Sequence, residues 1–432
     1  MSRESLNSGY YMQSLTRLIG LGFILLTLAA VALKAVVALP GPLGYAPVNL
    51  GLGPAGQPVE IVIWYGTEKK LWLEESVRRF EQSGATVNGR PISVTLVGLG
   101  SREIADRVAR QEWGDDPQPT VVSPASSVWT EVLAADWATR NGGQIIVGDA
   151  PPLVLTPLVA VVWEERAAVL FPRGTDQFWQ QLHDALENPE GWKAVAEANG
   201  FAPGTPEHDK ALGWGFVKFG HTSPLTSNSG AQALILMSYG FYDKTSGLVS
   251  ADILNKEYQA WIEQMESAVL DFGDSTGTFM TSMVQFGPSK YDLVLVYENL
   301  AIENIDAAQG RWGQPLRVFY PPATMFSDHP YAILGDPLTT PEQRAAAERF
   351  RDFLLERPQQ ELALQFGFRP ADPGVPVVTS SPDNPFNKYA SYGVQVDIAE
   401  QVETPSGDTI ATLLEFWRRQ IGPIAARFEG GN

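Results

Sequence analysis

The sequence contains no cysteine among its 432 residues. It therefore has no disulfide framework, no thiolate nucleophile, no cysteine zinc site and no lipid-modified cysteine that would anchor the chain. Basic residues are also scarce: 31 lysines and arginines face 49 aspartates and glutamates, which gives a net charge of −18. A protein with this charge repels the phosphates of nucleic acids and anionic lipid surfaces. We therefore predict no nucleic-acid partner.

Two motifs typical of enzymes are absent as well. The sequence has no GxxxxGK[ST] phosphate loop and, with four histidines, no HExxH spacing. We therefore predict no catalytic residue, no cofactor and no metal site. One alternative stays open, because Asp328 and His329 stand side by side and could join His221, Glu298 and a tyrosine around a metal ion.

A long apolar stretch lies near the N-terminus. Residues 18–33 carry no charge, and after Lys34 the apolar character continues to Leu39. A helix of this length crosses a hydrocarbon core of roughly 30 Å. Residues 1–39 are thus predicted to be a signal anchor, with a cleaved signal peptide as the alternative, and the Pro/Gly-rich residues 40–58 a tether. Basic residues precede the stretch, so the body is predicted to lie outside the cytoplasm.

After the tether, short apolar runs alternate with amphipathic segments of helical length. This alternation predicts βαβ units and an α/β fold with mainly parallel sheets. The chain is longer than one core usually organises, so two lobes are expected. Two extended segments, near 153–160 and 319–326, are predicted to be hinge crossings. The first lobe then comprises residues 59–155 and 323–432, and the second lobe residues 156–322.

Hydroxyl-rich turns follow several predicted strands and precede predicted helices. A helix N-terminus exposes unpaired N–H groups and the positive end of the helix dipole, so it can hold an oxyanion without a lysine or arginine. Two lobes facing each other across a cleft would present such turns to one solute. The predicted ligand-binding residues in these turns are Thr67, Ser101, Ser126, Ser127, Thr222, Ser223, Ser227, Asn228 and Ser229.

Helix capping is the alternative role for these residues, since Ser, Thr and Asn are the usual N-caps. Capping suffices for Thr67 and Ser101 taken singly, and Glu68 would repel an anion beside Thr67. Residues 221–230 differ, because they hold five hydroxyl residues besides Asn228, more than one cap requires. Binding is therefore predicted mainly for this segment.

Tyr297 and Glu298 end a further apolar run, whose carboxyl end is expected at the cleft. Glu298 could accept hydrogen bonds from a ligand or help to hold a cation. It could equally be an acid at a helix N-terminus, favoured there by the helix dipole. Both residues are included in the predicted ligand-binding set.

Five segments also carry a family resemblance. They are SPASSVW (123–129), KFGHTSPLTSNSG (218–230), YENLAIE (297–303), FSDHPYAIL (326–334) and FRDFLLERPQQELALQFGFRPAD (350–372). Together they resemble bacterial extracellular solute-binding proteins of ABC-type importers, with the type II periplasmic-binding fold, over about residues 58–378. More narrowly, they look like the solute-binding module often found in front of a von Willebrand factor type A domain. The chain after residue 378 is too short for that domain and lacks its DxSxS motif.

The resemblance implies a two-lobed, type II periplasmic-binding-protein-like fold, preceded here by the N-terminal membrane segment. It also implies a binding protein, not an enzyme, that delivers a small polar solute to an ABC permease. Ligand contacts would come from Ser126 and Ser127, from residues 222–229 and from Tyr297 and Glu298. The hydroxyl-rich turns favour an oxyanion as the solute.

Two other functions stay open. One is a membrane-tethered assembly or sensing partner that keeps the fold without transporting a solute. The other is a cleft hydrolase or metal-binding protein that uses Glu298, Asp328 and His329.

Overall fold

We describe the fold from a computed structural model, which describes residues 56–269, 271–398 and 400–423. The predicted anchor or signal peptide and nearly all of the predicted tether lie outside these ranges. Within them, no helix combines the length and the apolar character that a membrane crossing requires.

The described residues form eleven strands in two sheets. The strands are β1 (Val59–Gly66), β2 (Thr86–Val87), β3 (Arg90–Leu99), β4 (Val121–Ser123), β5 (Val154–Trp163), β6 (Phe219–Gly220), β7 (Leu293–Tyr297), β8 (Leu316–Phe319), β9 (Phe326–Ser327), β10 (Ala332–Ile333) and β11 (Arg369–Pro370). The first sheet has the order β10-β4-β1-β3-β2, and the second contains β11-β5-β7-β6 with β8 and β9 also paired to β5.

Sixteen α-helices lie among the described residues. They are α1 (Lys70–Gln82), α2 (Ser101–Arg110), α3 (Ser127–Arg140), α4 (Glu164–Leu170), α5 (Phe178–Glu187), α6 (Trp192–Ala198), α7 (Pro206–Ala211), α8 (Asn228–Tyr242), α9 (Ser250–Ile253), α10 (Lys256–Ser267), α11 (Thr276–Phe286), α12 (Glu298–Trp312), α13 (Pro341–Leu355), α14 (Arg357–Gln365), α15 (Pro385–Lys388) and α16 (Gly407–Gln420). Local sequence sets several boundaries. For example, α13 begins at a proline after Thr340, which forms a reciprocal capping box with Gln343.

The first sheet is covered on both faces, which explains why β1 is an almost continuous apolar run. Its strands β3 and β4 run parallel to β1, whereas β10 is antiparallel to β4. Alternate β1 side chains enter two different cores. Ile61 and Ile63 pack in a cluster with Phe80 of α1, and Trp64 packs in a cluster with Trp137 of α3.

The second sheet is centred on β5, which is antiparallel to β7, β8, β9 and β11. Ten residues long, β5 has only one residue that is not fully buried, Leu155. Helices α4–α12 pack around this sheet, and their apolar faces join one large cluster with β5 and β7. The sheet of the second lobe is therefore mixed and not mainly parallel as predicted, because its central strand β5 pairs antiparallel with all four of these later strands.

Two neighbouring segments connect the sheets. The chain leaves the first sheet before β5 and returns to it after β9, and these two passages pair with each other. Thr156 of β5 faces Ser327 of β9, and Pro152 bridges antiparallel to Pro330. The pairing places both connections side by side, the arrangement of a two-strand hinge.

The chain from β11 onward differs from the sequence-based expectation, which assigned all of residues 323–432 to the first lobe. Strand β11 pairs with β5 of the second sheet, and Phe386, Phe416 and Trp417 belong to the apolar cluster of the second lobe. An amphipathic helix must bury its apolar face, but its sequence does not specify against which lobe. Only the opposite side of α16, at Leu414, packs against the cluster of the first lobe that contains Trp137.

Candidate functional site

Four buried hydroxyl groups meet where two long helices of the second lobe begin. We call Thr222, Ser227, Ser229 and Thr276 the hydroxyl cluster; each is at most 2% exposed. Ser229 Oγ lies 2.6 Å from Thr222 Oγ1 and 2.7 Å from Thr276 Oγ1, and Ser227 Oγ lies 3.2 Å from Thr276 Oγ1. These residues stand at the N-termini of α8 and α11, apart from Thr222, which precedes α8 by a turn. The cluster thus joins two positive helix ends with neutral donors.

Sequence reasoning identified three of these residues and missed Thr276. Its segment, Asp274-Ser275-Thr276-Gly277, has the pattern of an ordinary helix cap. No local sequence signal marks it, because its position follows from the pairing of the segment before α11 with the 222–230 turn. Thr222 forms a parallel bridge with Gly273, which brings the two helix starts together.

Asn228 connects the hydroxyl cluster's helix with the first lobe and the hinge. Its side-chain oxygen accepts a 2.8 Å hydrogen bond from Trp129 Nε1 of α3. Its amide nitrogen donates to Tyr297 OH at 2.9 Å and to Ser327 Oγ at 3.0 Å. Burial raises the pKa of Tyr297, so the phenol stays neutral. The predicted residues Asn228 and Tyr297 are therefore in contact, and both remain uncharged.

The predicted residues of the first lobe are near these turns, but most of them serve local roles. Ser101 Oγ accepts from the Ala125 amide at 2.9 Å, and Ser126 caps α3. The Ser127 amide donates to Asp328 at 2.8 Å. Of these contacts only that of Ser126 is a helix cap, because the Ser101 hydroxyl accepts from a neighbouring turn and Ser127 uses its backbone amide.

Thr67 is the exception, because its side chain reaches the second lobe. Its hydroxyl donates to Ser275 Oγ at 2.9 Å and accepts from the Gly277 amide at 3.0 Å. It therefore contacts the start of α11 directly, at the residues immediately before and after Thr276. The structure brings Thr67 to the edge of the hydroxyl cluster.

Ser223, by contrast, accepts from the Leu225 amide within its own turn and is not part of the cluster.

A backbone contact also joins the lobes at the N-terminus of α2. The Arg102 amide donates to the Thr226 carbonyl oxygen at 3.0 Å. A Cβ atom at Gly100 would lie 2.6 Å from that oxygen and 2.9 Å from the Asp274 oxygen, so only glycine permits this approach. The backbone amides at this helix end, which have no acceptor within the helix, thus face an oxygen of the second lobe.

Glu298 does not present a free carboxylate, unlike the ligand-binding role predicted for it. It is fully buried at the start of α12, where Arg369 Nε and Nη2 each donate to it at 2.7 Å and Tyr320 OH donates as well. Burial raises the pKa of Glu298, and the Arg369 guanidinium opposes that rise. The bidentate geometry is that of a buried ion pair. Arg369 lies 71 residues away in the chain, so no local pattern announced it.

A second charged group lies next to Thr67. Lys69 Nζ is fully buried, 2.7 Å from Glu68 Oε1 and 3.2 Å from His329 Nδ1. Burial would raise the pKa of Glu68, but Lys69 and His329 lower it to about 2. Burial and the charge of Lys69 lower the pKa of His329 to about 4. Burial lowers the pKa of Lys69, and Glu68 opposes that shift. Because Glu68 is paired with Lys69, it does not act as the unpaired repelling charge expected from the sequence.

The metal-site and hydrolase alternatives require side chains that the structure pairs elsewhere. His221 is bonded to Glu266, Glu298 to Arg369 and His329 to Lys69. Among the described residues, no group of three or more histidine, aspartate or glutamate side chains could hold a metal ion. Asp328 accepts from the Ser127 backbone instead.

The hydroxyl cluster is closed to solvent in this arrangement. Two surface cavities, of about 610 Å³ on the second lobe and about 330 Å³ beside α16, are not lined by any member of the cluster. The four hydroxyl residues are buried, and Thr67 of the first lobe contacts the start of α11 beside them.

Comparison with known proteins identifies related sequences and folds. The family described as "Bacterial extracellular solute-binding protein" matches residues 61–369. Among solved structures, the periplasmic thiamin binding protein is 11% identical, covers 86% of this chain and 99% of its own, and has a TM-score of 0.54. The periplasmic binding protein AfuA from Actinobacillus pleuropneumoniae, with exogenous fructose-6-phosphate bound, is 13% identical, with coverages of 86% and 99% and a TM-score of 0.51.

A putative spermidine/putrescine ABC transporter protein from Listeria monocytogenes is 10% identical, with coverages of 86% and 99% and a TM-score of 0.51. No curated protein sequence matches the chain. At these identities the structural similarity shows the fold alone. It confirms the predicted α/β, two-lobed periplasmic-binding-protein architecture.

Proposed function

Because the chain belongs to the bacterial extracellular solute-binding protein family, we propose that it captures a small oxyanion between its lobes for an ABC permease. The family membership confirms the broader predictions: the chain is a solute-binding protein of an ABC transporter, it is not an enzyme, and it acts outside the cytoplasm. The oxyanion, the binding residues and the N-terminal anchor belong to the proposal.

The observation that carries the oxyanion proposal is the hydroxyl cluster itself. It concentrates four hydroxyl groups at the N-termini of α8 and α11 and contains no charged side chain. Hydroxyl groups can rotate to donate to a new acceptor, and helix ends favour negative charge there. The cluster offers a solute no unpaired charge, because the charged side chains beside it stand in pairs, Glu68 with Lys69 and Glu266 with His221. Neutral donors of this kind suit a small dehydrated anion.

Lobe opening would add further donors. The Arg102 and Glu103 amides at the start of α2 donate to the Thr226 carbonyl oxygen, at 3.0 and 3.4 Å. When the second lobe moves away, these amides lose that acceptor and face the cleft. An anion that replaces the Thr226 oxygen at this third helix N-terminus, and contacts the hydroxyl cluster as the lobes close again, would bridge both lobes. The solute stabilises the closed form only to the extent that it binds that form more tightly.

Calorimetric titration of the full chain tests the proposal. The probes are sulfate, molybdate and phosphate as anions, with thiamin and spermidine as contrasting cations and fructose as a contrasting neutral sugar. We expect at least one inorganic anion to bind, and Ser229→Ala to weaken it by about 1–3 kcal/mol, the cost of a lost buried hydrogen bond.

The matched control is Ser238→Ala. This residue is on the same helix and equally buried, but its hydroxyl bonds to Tyr258 and the Leu234 carbonyl oxygen, away from the cluster. Ser238→Ala should leave the affinity unchanged. Binding of only the cationic or sugar probes, or equal effects of the two serine variants, would refute the proposed site.

A second candidate function is supported by one observation. The lobes already contact each other through Thr67–Ser275, Arg102–Thr226 and Trp129–Asn228. A protein that keeps this closed form can serve as a membrane-tethered assembly or sensing partner without transporting a solute. The absence of binding to every probe in the titration would favour this function.

The N-terminal residues 1–39 are proposed to anchor the chain in the membrane. Their apolar run is longer than the core of a typical signal peptide. N-terminal sequencing of the protein recovered from membranes distinguishes an intact anchor from a cleaved signal peptide. An N-terminus that begins after residue 30 would contradict the anchor.

A further inference from the structure

The C-terminal helix α16 lies beyond residues 61–369, the part of the chain that matches the family, yet it contacts residues directly behind the hydroxyl cluster. Trp417 of α16 is 4% exposed, and its Nε1 donates to Glu266 Oε2 at 2.6 Å. The other oxygen of Glu266 lies 2.9 Å from His221 Nε2. One carboxylate of α10 therefore joins the C-terminal helix to His221.

His221 continues this connection into the cluster. Its Nδ1 lies 2.8 Å from the carbonyl oxygen of Thr222, whose hydroxyl is 2.6 Å from Ser229 Oγ. A carbonyl oxygen and a carboxylate only accept, so both ring nitrogens carry protons and the ring is an imidazolium. Burial opposes this charge, but Glu266 and the Thr222 carbonyl oxygen raise the pKa of His221 above its ordinary value.

A packing contact runs in parallel with the hydrogen bonds. The Phe272 ring makes edge contacts with both Trp417 and His221, each at 5.2 Å between ring centroids. Phe272 precedes Gly273, which forms the bridge to Thr222, and the same segment leads to Thr276. Trp417 thus supports both chain segments that supply hydroxyls to the cluster.

The backbone at this point has little freedom to compensate. A Cβ atom at Gly230 would lie 2.1 Å from the Thr222 carbonyl oxygen, the same oxygen that His221 faces. The turn is therefore pressed directly against the start of α8. A shift of His221 moves that oxygen, and with it the position of the Thr222 hydroxyl.

We propose that Trp417 is a positioning residue for solute binding: through Glu266 and His221 it holds the turn that carries Thr222 in place, without itself touching the solute. The inference rests on the proposed function, because it assigns to the C-terminal helix a part in the same binding site. It goes beyond that function, since the helix is not part of the family match.

The test compares Trp417→Phe with Trp192→Phe in the full chain. Trp192 is a close match: it is fully buried in the same lobe, and its Nε1 donates to the buried Asp292 carboxylate at 2.9 Å. Each variant loses one tryptophan-to-carboxylate hydrogen bond, but only Trp417 connects to His221. A purely structural role predicts equal effects of the two substitutions on the binding site.

The first readout is nitrogen NMR of the four histidines. Loss of a donor to Glu266 disfavours the ionised pair, so in Trp417→Phe the imidazolium signals of His221 should disappear about one to two pH units lower than in the wild type. The second readout is hydrogen exchange of residues 222–230, which should accelerate about tenfold. Trp192→Phe should change neither. If Trp417→Phe behaves like Trp192→Phe in either readout, the inference is overturned.

The third readout is sulfate titration. If the wild type binds sulfate, Trp417→Phe should weaken it about tenfold and Trp192→Phe less than twofold; equal affinities would overturn the inference. If the wild type binds none of the anions, the proposed function fails, and the two ligand-free readouts still decide whether α16 positions the turn. Should Trp417→Phe not fold, Glu266→Gln serves instead, with loss of the imidazolium signals and faster exchange as the expected results.

Discussion

Two buried polar regions adjoin each other at the end of β7, and they are built on opposite principles. Tyr297, the last residue of the strand, belongs to the neutral region that contains Asn228 and the hydroxyl cluster. Glu298, the next residue, belongs to a charged region with Arg369 and Tyr320. Both regions are almost completely buried. The difference lies in how their polar groups are satisfied.

In the neutral region each hydroxyl can donate or accept, so the hydrogen bonds can be exchanged for bonds to a solute. In the charged region both oxygens of Glu298 are occupied by Arg369 in a fixed fork. Removing either partner leaves a buried charge without compensation. This difference supports the proposal that the neutral region binds the solute, and it predicts that the charged region mainly maintains the fold.

The largest expected effect comes from breaking the charged region. Glu298→Ala leaves the Arg369 guanidinium buried and unpaired, which should lower the free energy of unfolding by about 3–5 kcal/mol. Urea denaturation measures this loss. In the double variant Glu298→Ala/Arg369→Met the unpaired charge is gone, so stability should recover in part. A loss below about 1 kcal/mol in the single variant would remove the distinction between the two regions.

The first lobe has its own charged region, Glu68 with Lys69 and His329, and it should make the stability depend on pH. The folded pKa of His329 is about 4, below the unfolded value of 6.5. Below pH 6.5 the unfolded chain therefore binds a proton that the folded protein excludes. The contribution of His329 to stability is therefore complete above pH 6.5 and is lost, by about 3 kcal/mol, as the pH drops to about 4. Glu68 adds its loss at lower pH, between 4.5 and about 2.

His329→Asn tests this expectation, because asparagine tolerates the positive φ of 43° at this position. The variant should show little loss of unfolding free energy between pH 6.5 and 4.5, whereas the wild type should lose stability steadily. Denaturation curves collected across this range measure both slopes. Parallel slopes in the two proteins would contradict the assignment.

These charged partners also mark where sequence reasoning stops. The apolar and amphipathic alternation predicted the α/β lobes, since buried strands and helix faces have local periodicity. The excess of hydroxyls at 221–230 predicted most of the cluster. Lys69 with His329, 260 residues apart, and Glu298 with Arg369 form only when distant segments pack together, and no local pattern specifies such a pair. Thr276 was missed for the same reason.

A smaller effect is expected from a substitution that disturbs lobe closure, because closure should matter for the neutral region and not for the Glu298–Arg369 region. Gly100→Ala places a Cβ against the Thr226 and Asp274 carbonyl oxygens of the second lobe, whereas its φ of −70° suits alanine when the lobes are apart. The variant should favour the open form and weaken anion binding about tenfold, because only the closed fraction binds tightly. The charged region of Glu298 and Arg369 lies within the second lobe and does not depend on closure, so the unfolding free energy should barely change.

Small-angle scattering detects the opening, and calorimetry measures the affinity. The control is Gly310→Ala, in α12, where an added Cβ meets nothing within 4 Å. It should leave both the scattering and the affinity as in the wild type. Unchanged scattering in Gly100→Ala would mean that the contact at α2 does not govern closure.

The smallest expected effect is the loss of one hydroxyl from the neutral region. Thr276→Val keeps the side-chain shape and removes a group that bonds to Ser229 and Ser227. The remaining hydroxyls can rotate towards each other, so the unfolding free energy should fall by only about 0.5–1.5 kcal/mol. Thr281→Val, an exposed position on the same helix, should change it by less than about 0.5 kcal/mol. A loss in Thr276→Val as large as that in Glu298→Ala would mean that the hydroxyl cluster is fixed as rigidly as the ion pair, and a cluster of that kind has no hydrogen bonds to exchange for a solute.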